Sequence, residues 1–304
     1  MRKSLGVLTT LIALLTLTAC GGGSGSSLDD VEISGDDIPS LEVPEDFSVD
    51  DTTSEVVDEG DGEEISEGDT VKVNYIAVNG RTGSEFDNSF ANERPMVLTL
   101  NETALPGFAK GLKDQKVGSR ILIAVTGEDG ASLLADPTNI GLEETDTMVF
   151  LFDVLKKVPE SAEGAENELA PESPTVEYDD DGQPSGVARG EGPEAFDGKA
   201  TSEVLIEGEG DEVTSGQTLV AHYVGSTYPD GEVFDGSWEQ GAPRTFLIGQ
   251  GQVIPCWDET LVGAKIGSRL LLECPVDTAY GEDAAAQGRP EGDLAFVVDV
   301  LDAF

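Results

Sequence analysis

Two stretches of the chain alternate between apolar and polar or small residues with a period close to two. Val71-Lys72-Val73-Asn74-Tyr75 lies in the first, and Leu219-Val220-Ala221-His222-Tyr223 in the second. Such alternation sends successive side chains to opposite faces, as half-buried strands do. The segments end at glycine, aspartate or proline, and Asn79-Gly80 and Asp230-Gly231 are hairpin-turn dipeptides. A helical pattern is readable once in each stretch, around 107–114 and 256–263, each time just after a proline, Pro106 or Pro255. Each stretch therefore predicts a mostly antiparallel sheet with one short helix packed on it, an α+β domain.

The two stretches repeat one another. Glu85-Phe86-Asp87-Asn88-Ser89 corresponds to Val233-Phe234-Asp235-Gly236-Ser237, and Val117-Gly118-Ser119-Arg120 to Ile266-Gly267-Ser268-Arg269. Val149-Phe150 and Val154-Leu155 close the first copy as Ala295-Phe296 and Val300-Leu301 close the second. The order is kept and the offset stays at 146–149 residues, so this is an internal duplication.

What lies between reads as linker. Residues 20–62 and 159–200 are rich in glycine, serine, aspartate and glutamate and poor in aromatics, the composition of disordered acidic segments. Ahead of them, Arg2 and Lys3 precede an apolar run from Leu5 to Ala19, the pattern of a secretory leader over residues 1–19. Leu17-Thr18-Ala19-Cys20, followed by Gly-Gly-Gly-Ser, resembles the lipobox of bacterial lipoproteins. That resemblance implies a diacylated Cys20 anchoring the protein at the outer face of the cell membrane. The expected organisation is thus a leader at 1–19, a tether at 20–62, one domain at 63–158, a linker at 159–200 and a second domain at 201–304.

Net charge narrows the partners. At −44, or −46 once a leader holding Arg2 and Lys3 is removed, the field repels nucleic acid. The one histidine, His222, is next to Tyr223 on a strand and faces the other way; alone, it is a poor basis for a metal site. With Cys20 acylated, Cys256 and Cys274 remain, either as a disulfide or as two buried thiols.

The second copy resembles the FKBP-type peptidyl-prolyl cis–trans isomerases along essentially its whole length. His222-Tyr223-Val-Gly225, Phe234-Asp235-x-Ser237, Val253-Ile254-x-x-Trp257, Gly267-Ser-Arg269, Ala279-Tyr280-Gly281 and Phe296-x-x-Asp299-Val300 stand in family order. The resemblance implies two FKBP-like domains, each a curved antiparallel sheet wrapped on a short helix with an apolar pocket between. Trp257 would be the pocket floor, and Tyr223, Phe234, Phe246, Val253, Ile254 and Phe296 its walls. Tyr280 would offer a hydroxyl to a substrate carbonyl, and Asp235, beside Tyr223, would polarise or position the peptide. Tyr223, Asp235 and Tyr280 are the candidate catalytic residues. The chemistry needs neither metal nor cofactor.

Two functions follow from that resemblance. One is a membrane-tethered isomerase that acts on proline-containing unfolded or exported polypeptides, with a macrolide as a candidate ligand. The other is a non-catalytic client-binding chaperone or adaptor that has kept the fold. The departures bear on the choice. Arg244 replaces an aromatic at the pocket edge, and the loop after Gly281 lacks bulky aliphatic residues. In the first copy Phe108 stands for the floor tryptophan, Ala104-Leu105 for Val-Ile, and Met96 and Leu98 replace the strand aromatic. No Ala-Tyr-Gly occurs around 127–132, which marks the first copy as weak or inactive.

Overall fold

The computed structural model describes residues 25–100, 106–131 and 141–304. The expected leader, Cys20, Ala104 and Leu105 lie outside the described residues. The first half contains β1 (Glu32–Ser34), β2 (Ser40–Glu42), β3 (Thr53–Asp58), β4 (Thr70–Asn79), β5 (Ser84–Asn88), α1 (Ser89–Asn92), β6 (Met96–Thr99), α2 (Pro106–Leu112), β7 (Arg120–Val125) and β8 (Met148–Val158). The second contains β9 (Ala165–Glu166), β10 (Thr175–Tyr178), β11 (Pro184–Ala188), β12 (Thr201–Glu207), β13 (Thr218–Tyr228), β14 (Val233–Gly236), β15 (Arg244–Leu247), α3 (Pro255–Thr260), β16 (Arg269–Cys274) and β17 (Asp293–Ala303).

The two sheets have one topology. The first runs β3-β7-β8-β4-β5 with β6 on β4; the second runs β12-β16-β17-β13-β14 with β15 on β13, and β9 adds to its edge. All these pairings are antiparallel. The α+β class and the duplication read from the sequence are the architecture found.

The central strands are apolar on both faces, more than the period-two reading implied. On β17, Phe296, Val298 and Val300 face the helix-side core, while Ala295 and Val297 face away. On β8, Phe150 and Phe152 face α2, while Val149 and Leu151 point to the opposite side. Each sheet therefore needs a second cover, and the stretches expected to be a tether and a linker supply it. Val43 and Phe47 pack on Ile76, Leu122, Val149 and Leu151. Val187 and Phe196 pack on Val224, Leu271 and Val297. The expectation of disordered acidic segments is corrected for residues 25–62 and 159–200, which pack on the two sheets. A few buried apolar anchors, each contributing about 1.5–3 kcal/mol, hold segments whose average composition stays acidic. β3 hides even more completely, because every residue of it is exposed although it pairs with β7 along its length.

A polar row crosses the covered face of each half. His222 is the cross-strand neighbour of Asp299, and Asp299 that of Arg269. Arg269 grips Asp299 with two hydrogen bonds, at 2.6 and 2.8 Å. Asn74, Asp153 and Arg120 form the same row in the first half, with the arginine bonds at 2.7 and 2.8 Å. The duplicated Gly-Ser-Arg motif explains its own repetition here. Gly118 and Gly267 adopt φ values of 89° and 93°, which favour glycine. Ser119 and Ser268 each accept a backbone N–H from the preceding segment, at 2.9 and 3.0 Å.

The two halves touch through the ends of their long strands. Val158 packs with Val220 and Leu301, and Lys72 and Lys156 both reach the buried carboxylate of Asp302 at 2.7 and 2.6 Å.

His222 lies on the covered face, as its position beside Tyr223 required, stacked on Trp238 with Nδ1 2.9 Å from the Ser237 hydroxyl. Burial lowers its pKa to about 4, against an opposing pull from Asp299. A folded-state value below the ordinary 6.5 means that the unfolded chain binds the proton more tightly. Neutral His222 therefore stabilises the fold fully above that ordinary value, and the contribution disappears as pH falls through the folded value. Between about pH 7.5 and pH 5 the loss should be roughly 2 kcal/mol. Urea unfolding of the wild type and His222→Asn at both pH values checks this: the variant should show the shallower dependence, and equal slopes would exclude it.

Candidate functional site

The site of the second half is assembled from five places in the chain. β13 contributes Tyr223, β14 Phe234 and Asp235, β15 Phe246, the start of α3 Trp257, and β17 Phe296. Pro255 opens the helix, and the extended Ile254 ahead of it directs Val253 and Ile254 to the same cavity. The rings form an edge-to-face box around Trp257. Its centroid lies 4.8 Å from Phe246, 5.4 Å from Tyr223 and 5.5 Å from Phe296. Phe234 meets Phe296 at 5.6 Å and 90°. These separations and tilts are the favoured aromatic geometry.

The box encloses a cavity of about 500 Å³ that all nine expected residues line, Tyr280 included. The sequence reading did not single out Gln252 or Arg289, which also line it, and it quoted Ala279 and Pro255 without placing them in the cavity. The Arg289 guanidinium lies 5.3 Å from the Tyr280 ring centre, so an arginine occupies the loop that lacks bulky aliphatic residues. In a chain with 17 lysines and arginines against 61 acidic residues, an arginine in the loop after Gly281 was the signal available for it.

The polar groups of the box are held from behind. Tyr223 donates its hydroxyl to Asp235 at 2.7 Å, and burial, reinforced by that carboxylate, holds its proton well above the usual tyrosine range. Asp235 also accepts the Gly236 N–H at 2.9 Å. Ser237 accepts the Tyr223 backbone N–H at 2.8 Å, so the strand under the ring is fixed as well. The Trp257 Nε1–H is buried with no acceptor among the described residues. Arg244, on the same face of β15 as Phe246, bonds the Gln240 side chain.

Gly225 is a further requirement. A Cβ there would stand 2.6 Å from a Phe296 ring carbon and 2.7 Å from one of Phe234. In the first half the position belongs to Ala77, opposite Phe150 as Gly225 is opposite Phe296, and the Phe86 and Phe150 rings stand 6.1 Å apart. Gly225→Ala should push the rings inward, lower kcat/KM at least about tenfold and cost about 1–3 kcal/mol of stability. Steady-state kinetics with thermal unfolding checks both, and wild-type values for the variant would remove this residue from the site.

Cys256 and Cys274 are bonded, with Cα atoms 5.5 Å apart, tying the start of α3 to the end of β16 directly behind Trp257. The first half fills the same place with Gly107 against Val125. Closing a loop between residues 18 apart should contribute about 3 kcal/mol. Urea midpoints with and without reductant test this; coincident midpoints would rule the contribution out.

The first half keeps part of the constellation. Tyr75 donates its hydroxyl to Asp87, and Phe86 and Phe150 meet edge-on. Phe108 stands at 4.7 Å from Phe150 and 4.9 Å from Phe152, but carries no N–H, and Ala131 replaces Tyr280 at the repeat's offset.

Comparison with known proteins gives this geometry a family. The profile described as FKBP-type peptidyl-prolyl cis-trans isomerase matches residues 61–139 and 210–301. An FK506-binding protein of Streptomyces anulatus is 43% identical over 99 residues, 32% of this chain and 80% of that protein. A probable FK506-binding protein of Corynebacterium glutamicum is 34% identical over 99 residues, 33% of this chain and 82% of that one. Among solved structures, FkpA from Escherichia coli is 32% identical over 35% of this chain and 47% of that chain, with a TM-score of 0.31. The chain belongs to the FKBP-type peptidyl-prolyl cis–trans isomerase family. Its reaction is rotation about the peptide bond that precedes proline.

Proposed function

We propose that the second half carries the isomerase activity, and that it acts on exported polypeptides from a lipid anchor at Cys20 on the outer face of the cytoplasmic membrane. The observation that supports the assignment to one half is the intact aromatic box with its Trp257 donor and Tyr280. In the first half Phe108 stands for Trp257, Ala77 for Gly225 and Ala131 for Tyr280. Anchoring and export rest on the leader pattern and Leu17-Thr18-Ala19-Cys20 alone.

The chemistry needs no covalent step. Planar amide resonance raises a barrier of about 18–20 kcal/mol to rotation. Twisting breaks the resonance and removes charge separation, so a dry aromatic cavity favours the twisted amide over the planar one. The proline ring sits on Trp257 among Tyr223, Phe246 and Phe296, while the hydroxyl of Tyr280 holds a flanking carbonyl. Asp235, oriented by Tyr223 and Gly236, faces the imide. Uncatalysed isomerisation takes tens to hundreds of seconds, long enough to limit folding, and its catalysis consumes no ATP.

The test is a protease-free isomerisation assay on the full mature chain. Trp257→Leu and Asp235→Leu should lower kcat/KM by about tenfold to a hundredfold, and Asp87→Leu by less than about twofold. A macrolide that binds FK506-binding proteins should inhibit the wild type. Activity that survives Trp257→Leu but falls with Asp87→Leu would move the reaction to the first half. No activity in any form would favour a client-binding protein. Mass analysis of the mature N-terminus, with Cys20→Ser as control, tests the anchor.

A further inference from the structure

A second groove continues the proline cavity past β14. It measures about 530 Å³ and shares Tyr223, Phe234 and Asp235 with the first. Its far wall is the β10–β11 hairpin, which precedes the family-matched region beginning at residue 210. The hairpin is built as a fixed wall. Val187 is fully buried and donates its N–H to Ser226 on β13 at 3.0 Å. At the tip, Asp179 accepts the N–H groups of Asp181 and Gln183 at 3.0 and 2.8 Å.

The lining is apolar at the base and anionic at the rim. Pro184, Val233 and Trp238 form the base, and Trp238 keeps a buried Nε1–H with no acceptor among the described residues. Asp179, Asp181 and Glu239 stand at the rim with Asp235, and none has a cationic partner among the described residues. No lysine or arginine lines the groove. Elsewhere most described lysines and arginines are ion-paired, so carboxylates left together around a concave, apolar-floored surface focus a negative potential on it.

We propose that this groove binds the stretch of substrate polypeptide flanking the proline, and that it selects lysine or arginine there. The occupant follows from two features. The groove shares Tyr223, Phe234 and Asp235 with the site where the proline sits, so a chain leaving that site passes over it. Its base accepts aliphatic stems, and its rim accepts cationic heads, the two parts of a lysine or arginine side chain. The hairpin therefore turns a general proline site into one that reads charge several residues away. The inference rests on the second half being the isomerase site.

The experiment uses the full mature chain and peptides with one Leu-Pro core. Two lysines, or two glutamines, are placed about three to six residues before or after the proline; a short peptide carries the core alone. One lysine placement should raise kcat/KM about threefold to tenfold over its glutamine counterpart. The gain should vanish in the triple variant Asp179→Asn, Asp181→Asn, Glu239→Gln, and at about 0.5 M salt, with the short peptide unaffected by the substitutions. Equal rates for lysine and glutamine at both placements would overturn the proposal. So would a gain that survives the triple variant, since that variant leaves the charge of the whole molecule nearly intact and the gain would then belong to the general field. Failure to isomerise even the short peptide would instead remove the assignment of the active half.

Discussion

An arginine–aspartate pair behind each sheet, buried in the second half and half-buried in the first, sets the terms for the rest of the structure. Asp299 is fully buried, and a carboxylate there is tolerable only if every side of it is satisfied. Arg269 takes it bidentately across the strands, and the Ala162 N–H, from the covering segment, supplies another bond at 2.8 Å. In the first half Arg120 holds Asp153 and donates to the Asp36 carbonyl of its own covering segment at 2.8 Å. Removing one partner of such a pair costs about 3–5 kcal/mol, because the other is left charged and buried. The pair thus pins the strand register and the cover together, and the alternation that follows puts Tyr223, Val298 and Phe296 on the site face.

The site itself is an exercise in holding apolar surfaces apart. Five rings meet edge-on around a cavity, and a packed core would ordinarily collapse such a space. What keeps it open is external support: the disulfide under Trp257, the Tyr223–Asp235 bond, the Ser237 clamp and the absence of a side chain at Gly225. The Trp257 N–H remains inside without an acceptor among the described residues, which suits a reaction in which substrate groups complete the network only on binding.

Duplication separates what the fold requires from what the cavity requires. Both halves retain the arginine–aspartate row, the positive-φ glycine before Ser-Arg, the serine clamp under the tyrosine and the tyrosine–aspartate bond. They differ at the floor, at the glycine over which the rings lie and at the disulfide. The same sheet is stable with either set, so the cavity residues are free to vary once the register is secured.

The sequence alone determined the repeat, the α+β class and the helix starts at Pro106 and Pro255, while the cavity-lining residues came from the resemblance of its motifs to the family. These were legible because strand alternation and the Phe-Asp, Gly-Ser-Arg and Ala-Tyr-Gly spacings are local, and local patterns survive in one dimension. Only the tertiary structure decided that residues 25–62 and 159–200 fold against the sheets. Their acidic composition masks anchors such as Phe47, Val187 and Phe196, whose burial depends on strands far away in the chain. Arg289 over Tyr280, the empty space demanded at Gly225 and the groove beneath the β10–β11 hairpin were hidden for the same reason. Each is a distance between residues that the sequence keeps apart, set by packing rather than by the identity of either neighbour.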